Sequence, residues 1–119
     1  MSVQTVAGKF KELVNQGKHF EVMRTMYAPD IVSVEGGGEE TVGQGPVIRK
    51  SEQWVADKSL DFQAIRGPFF NGPDQFAVHF TFEVTPNSTD RRTTLEEVGV
   101  YTVEDDQITR EQFFFEGSR

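Results

Sequence analysis

The clearest pattern in the chain lies over Gln75 to Thr85. Phe76, Val78, Phe80, Phe82 and Val84 alternate there with Ala77, His79, Thr81 and Glu83. Successive strand side chains point to opposite faces, so this segment reads as a strand with one wholly apolar face. Two further strands follow. Thr93 to Val103 reads as one, Glu104-Asp105-Asp106 as a turn, and Gln107 to Phe115 as the returning strand. Leu60 to about Phe70 supplies another, interrupted near Gly67-Pro68 and closed by the turn signal Asn71-Gly72-Pro73-Asp74. The first half follows a different period. Val6, Phe10, Leu13 and Val14 fall at helical spacing over residues 5–16, with Ser2 or Thr5 as cap and Gly17 as stop. A second helix is expected from Lys18 to Tyr27, ended by Pro29. Ile31 to Glu35 is a short strand, with Ile31, Ser33 and Glu35 on one face. Gly36-Gly37-Gly38 opens either a flap or a plain flexible connection, with a loose hairpin around Thr41-Val42. A third helix starts at Gly45-Pro46 and runs to about Lys58.

The order is helix, helix, strand, helix, then four strands joined as hairpins. That predicts an α+β fold: a strongly curved antiparallel sheet of four to six strands, its concave face covered by the three helices. The 119 residues make one domain, 1–119.

The final hairpin carries the candidate chemistry. If Val103 pairs with Gln107, the odd residues of both strands share a face. Glu111 then lies opposite Gly99 and diagonal to Glu97 and Tyr101, roughly 7–8 Å from each. Carboxylates among aromatic rings are costly to bury unless something offsets them. Glu97 and Glu111 therefore read either as a pair sharing a proton or as partners of Lys50, Arg66 or Arg110. Tyr101 is either a hydrogen-bond donor into a site or a core phenol. Trp54 either stacks on a flat ligand or plugs the space between helix and sheet.

Composition narrows the function classes. The formal net charge of −7 disfavours a phosphate backbone as partner, so no nucleic acid is expected. With no cysteine there is no thiolate chemistry. The two histidines show no ligand spacing, so no metal site is expected. His79 falls on the outer face, and His19 is placed at an exposed helix junction. No stretch is apolar enough for a leader or a bilayer span, which suggests a cytoplasmic protein away from membranes. Eleven Phe residues suit either a dry core or an apolar ligand cavity.

Four segments carry a family resemblance: MYAPDIVSVE at 26–35, GQGPVIRKSEQW at 43–54, DQFAVHFTF at 74–82 and EEVGVYTVEDDQITREQFFF at 96–115. Together they resemble the SnoaL-like polyketide cyclase and steroid delta-isomerase group of the nuclear transport factor 2-like, or cystatin-like, α+β cone superfamily. The resemblance implies a cone with an internal pocket and, in many members, a homodimer through the outer sheet face. In the isomerases a carboxylate ending the first strand is the general base, and Glu35 occupies that position. The isomerases' second acid, an oxyanion donor, corresponds to Gly99, and their first-helix Tyr to the region of Phe10 and Leu13. Both donors are thus missing here. The last-strand cavity positions correspond to Glu111, Phe113 and Phe115.

The expected activity is that of a cofactor-free isomerase, cyclase or dehydratase working by acid–base chemistry on an apolar carbonyl compound. Glu35, Glu97 and Glu111 are its candidate catalytic residues. Lys50, Trp54, Tyr101, Phe80, Phe113 and Phe115 are its candidate ligand contacts. The alternative is a non-catalytic binding or dimerisation module of the same fold.

Overall fold

A computed structural model describes residues 2–115. Helix α1 spans Val3–Asn15, α2 His19–Thr25 and α3 Gln44–Ala56. Strand β1 spans Tyr27–Val34, β2 Glu40–Val42, β3 Lys58–Asn71, β4 Gln75–Pro86, β5 Thr93–Glu104 and β6 Gln107–Phe114. The six strands form a single sheet in the order β2-β1-β6-β5-β4-β3. The expected α+β architecture is present, with one addition. β1 runs parallel to β6, whereas every other neighbour pair is antiparallel. The chain crosses from β1 to the far edge of the sheet and returns by hairpins, so its last strand meets its first.

The apolar stripe of α1 buries Val3, Val6, Ala7, Phe10 and Val14 against the sheet. Ser2 caps the helix, its Oγ accepting from the Thr5 amide at 3.3 Å. Gly17, at φ +76°, takes the left-handed conformation that ends it. On β4 the predicted alternation holds: Phe76, Val78, Phe80, Phe82 and Val84 are all buried. Phe10 meets this face edge-on, 5.4 Å from Phe76 and 4.7 Å from Tyr101 between ring centroids.

Two boundaries differ from expectation. α2 stops at Thr25, and Tyr27 opens β1 instead of closing the helix. Ala28 precedes Pro29, a position biased towards extended backbone. The Ile108 amide of β6 donates to Met26 O at 2.8 Å, which draws this stretch into the sheet. The glycine segment 36–38 is the turn of a β1–β2 hairpin, and Val32 pairs with Val42.

The register of the final hairpin also differs. Asp105 and Asp106 both have positive φ, 50° and 63°, so the turn has two residues and Glu104 pairs with Gln107. Thr109 is then an extra residue on β6, because Val103 pairs with Ile108 but Thr102 with Arg110. Beyond this bulge Tyr101, not Gly99, faces Glu111, and Gly99 faces Phe113. The expected register was out by two residues. An even shift keeps the faces, so Gly99, Tyr101, Glu111 and Phe113 still share the inner side. Gln107 and Thr109, expected on that face, do not join it. Ile108 takes the buried place before the bulge.

Candidate functional site

The helices do not fill the concave side. α3 buries only Val47 completely, and a cavity of about 800 Å³ remains between the helices and the sheet. Its lining is mainly apolar. Phe20, Met23, Trp54, Val55, Leu60, Phe80, Phe82, Leu95, Phe113 and Phe115 contribute to it, and Tyr101 borders it. Every sequence-predicted site residue lies on this cavity: Glu35, Lys50, Trp54, Phe80, Glu97, Tyr101, Glu111, Phe113 and Phe115.

Their connections differ from those expected. Glu111 is only 2% exposed. Its carboxylate accepts from the Tyr27 hydroxyl and, at 2.7 Å, from the Ser33 hydroxyl. Ser33 in turn accepts from Lys50 Nζ at 2.9 Å. The same ammonium pairs with Glu35 at 2.5 Å, both side chains about one-third exposed. The result is one chain of contacts, Tyr27–Glu111–Ser33–Lys50–Glu35. It runs from the buried floor of β6, across β1, to α3 and the end of β1. A carboxylate this deep stays in place because its two oxygens are hydrogen-bonded and a cation lies one hydroxyl away.

This arrangement corrects the expected partners. Lys50 pairs directly with Glu35, and its contact with Glu111 passes through Ser33. Arg66 lies on the outer face beside His79, 3.1 Å from its Nδ1. Arg110 is exposed. The Glu35 charge acts on Glu111. Glu97 stands opposite Phe80 on the neighbouring strand, and Tyr101 feels the charges of both Glu111 and Glu97.

Burial pushes the Glu111 carboxyl above its ordinary range. The Tyr27 and Ser33 hydrogen bonds and the Lys50 charge pull it back, and Glu35 adds to the rise. Burial also raises both phenols, Tyr27 and Tyr101, well above 10, with Glu111 reinforcing each. Both hydroxyls therefore keep their protons at neutral pH. The Tyr27 proton is committed to Glu111. The Tyr101 hydroxyl has no hydrogen-bond partner among the described residues and stands beside the cavity.

Trp54 packs between helix and sheet, and it also reaches the cavity. Its ring lies 6.3 Å from Phe82, with Lys58 Nζ 4.2 Å from the ring centroid. His79 is on the outer face as expected, 3.4 Å from Glu96. His19 is not exposed. It lines the cavity, its ring 6.4 Å from Phe80 and 6.1 Å from Phe82. Gly17 ends α1 and turns the chain so that the first residue of α2 faces inward.

Three site residues were not singled out from the sequence: Tyr27, Ser33 and His19. Ser33 carried a signal, since strict alternation puts it on the face of Ile31 and Glu35. Tyr27 was hidden by its assignment to a helix. His19 lies where two helices meet, and no periodic pattern aims it.

A curved sheet with three helices closing its concave side over a cavity defines the cystatin-like class of α+β folds. Within it the chain belongs to the SnoaL-like family, whose model matches residues 1–115. The chain is similar to a protein from Mesorhizobium loti described as a SnoaL-like polyketide cyclase and, in brackets, a carbohydrate phosphatase. Identity is 36%, the match covers 97% of this chain and 100% of that one, and the TM-score is 0.90. A polyketide-cyclase-type protein of Pseudomonas putida shares the fold at 13% identity, covering 97% and 92% of the two chains with a TM-score of 0.75. So does a cystatin-like protein of unknown function from Xanthomonas campestris, at 14% identity, 98% and 92% coverage and a TM-score of 0.77. A comparison with curated proteins gives no match.

Proposed function

We propose that the chain is a small enzyme that moves a proton next to the carbonyl of an apolar compound, as an isomerase, cyclase or dehydratase does. The observation that carries this is the hydrogen-bonded chain from Tyr27 to Glu35 on the wall of a largely apolar cavity. Glu35 is the general base. It takes a proton from the carbon beside the carbonyl, and the C–H electron pair moves into a new C=C bond. The carbonyl oxygen then carries the developing negative charge. Tyr101 and Lys50 are the groups that donate to it, in a setting where few waters compete. The enolate ends by taking a proton at another carbon, attacking a second carbonyl, or expelling a β-hydroxyl. None of these outcomes requires a cofactor. Glu111 acts as a positioning residue: it holds Ser33, and through Ser33 the Lys50 ammonium. Trp54, Phe80, Phe113 and Phe115 supply apolar wall.

The test needs no natural substrate. The methyl protons of 2-acetylnaphthalene exchange with D2O through its enolate, and NMR follows the exchange. The protein is expected to accelerate it, and Glu35→Gln to lose about 100-fold or more of that acceleration. Equal rates with protein and with buffer overturn the catalytic reading.

A second reading has its own support. The 2.5 Å ion pair with Lys50 occupies the Glu35 carboxylate. A cavity protein that binds an apolar carbonyl compound without converting it uses the same residues. Binding of the ketone without accelerated exchange selects this reading.

A further inference from the structure

His19 plays no part in the chemistry above, yet its position is unusual for a polar side chain. Burial pushes its imidazole down to about 4, so at neutral pH the ring is uncharged. A neutral imidazole carries one donor and one acceptor nitrogen. Neither has a hydrogen-bond partner among the described residues. The ring rests against Phe80 and Phe82, which orient it, and it borders the cavity. The ring is only partly buried, and its nitrogens stand at a cavity wall where a ligand can hydrogen-bond to them.

Its place relative to the other free donor matters. The Cε2 of Phe80 lies 3.1 Å from the point where a Cβ on Gly99 would stand, and the Tyr101 hydroxyl lies 3.0 Å from the same point. Phe80 therefore lies close to the Tyr101 side chain as well as to the His19 ring. Both polar groups border the same cavity, which Phe80 also lines.

We propose that His19 is a second polar anchor of the cavity, recognising a hydroxyl or carbonyl at the far end of a flat ligand whose first oxygen is held by Tyr101. The ligand class is then a compound of about two or three fused rings, or a folded chain of that length, with oxygen at both ends. This deepens the proposed function and rests on the cavity being a ligand site. It does not depend on Glu35 being a base.

The test compares two ketones, 2-acetylnaphthalene and 6-hydroxy-2-acetylnaphthalene, which differ by one distal hydroxyl. Affinity is read from quenching of Trp54, the only tryptophan in the chain and a residue of the cavity wall. The wild type is expected to bind the hydroxy-ketone about 5- to 10-fold more tightly, the effect of one net hydrogen bond. His19→Phe, which keeps a ring of similar size, is expected to abolish that preference. His19→Gln, which keeps a donor and an acceptor, retains part of it. Two ketones bound equally by the wild type, or a preference that survives in His19→Phe, overturn the anchor and leave the exchange chemistry standing. Failure of both ketones to bind the wild type overturns the anchor together with the ligand cavity it depends on. Accelerated α-exchange lost in Glu35→Gln, with no hydroxyl preference, separates the two proposals in the other direction.

Discussion

His19 and Glu111 act on stability in opposite directions. His19 is held neutral in the fold, with its pKa moved from 6.5 to about 4. Between those values the unfolded chain binds a proton that the folded chain does not. Stability therefore falls as pH drops from 6.5 to 4, by up to roughly 3 kcal/mol for a shift of that size, less for the part of the ring that meets solvent. His19→Phe is expected to remove this loss, so its urea midpoint should gain on the wild type as pH falls through that window. Glu111 has the opposite sign. Burial raises its pKa, so the folded state favours the protonated form and stability declines as pH rises above the ordinary carboxylate range. Glu111→Gln is expected to gain on the wild type towards neutral pH, measured in the same titration. If both variants tracked the wild type at every pH, neither group would be desolvated as described. Such residues could be recognised as ionisable from the sequence. Alternation along β6 put Glu111 on the aromatic face, but its hydrogen bonds to Tyr27 and Ser33, and the inward turn of His19 against Phe80 and Phe82, depend on other elements.

At the scale of elements, the strand β5 shows how one glycine shapes the cavity. That glycine is Gly99. An ideal Cβ there would stand 2.9 Å from the Tyr101 ring, 3.0 Å from its hydroxyl and 3.1 Å from Phe80. Missing side-chain volume at 99 is what lets the phenol lie across the strand and reach the cavity wall. Tyr101 is fully buried and stacked on Phe76 at 5.1 Å, so it cannot swing away cheaply. Gly99→Ala should therefore cost about 1–3 kcal/mol of stability through overpacking, measured by chemical denaturation. The variant should also weaken binding of 2-acetylnaphthalene. A neutral effect on both would mean that Tyr101 moves freely and is not a fixed donor. The alternation along β5 and β6 was enough to assign these residues to one face. The bulge at Thr109 was not foreseeable, because it follows from the two-residue Asp105-Asp106 turn being reconciled with the inward placement of both Ile108 and Glu111.

On the whole molecule, the helices cover one side of the sheet and leave the other bare. The β-register makes the outer apolar residues contiguous. Phe69 is beside Ala77, Ala77 beside Val100, and Val98 beside Phe114. Phe69 is 60% exposed and Phe114 52%. Arg66, His79 and Glu96 lie on the same face, with charges of both signs that can pair with a rotated copy of themselves. A self-complementary patch of this kind suits a two-fold homodimer, which we propose for this protein. Sedimentation velocity should show a dimer for the wild type and a monomer for Phe114→Glu. A monomeric wild type at micromolar concentration would refute it. No helix among the described residues is long and apolar enough to cross a membrane.

The sequence by itself determined the elements and their faces. Periods of 3.6 and 2 locate three helices and the main strands, and they put Glu97, Tyr101, Glu111 and Phe113 on one side, because apolar alternation follows from local backbone geometry. The candidate cavity residues followed from that side assignment and from the family resemblance. Only the tertiary structure decided who meets whom. The parallel β1–β6 pairing brings Ser33 beside Glu111, 78 residues apart in sequence, and carries Tyr27 to the same carboxylate. The packing of α2 against α1, α3 and β1 turns His19 inward, towards Phe80 and Phe82. These contacts are set by how distant segments share one core, and a pattern read along the chain carries no information about which partner waits across it.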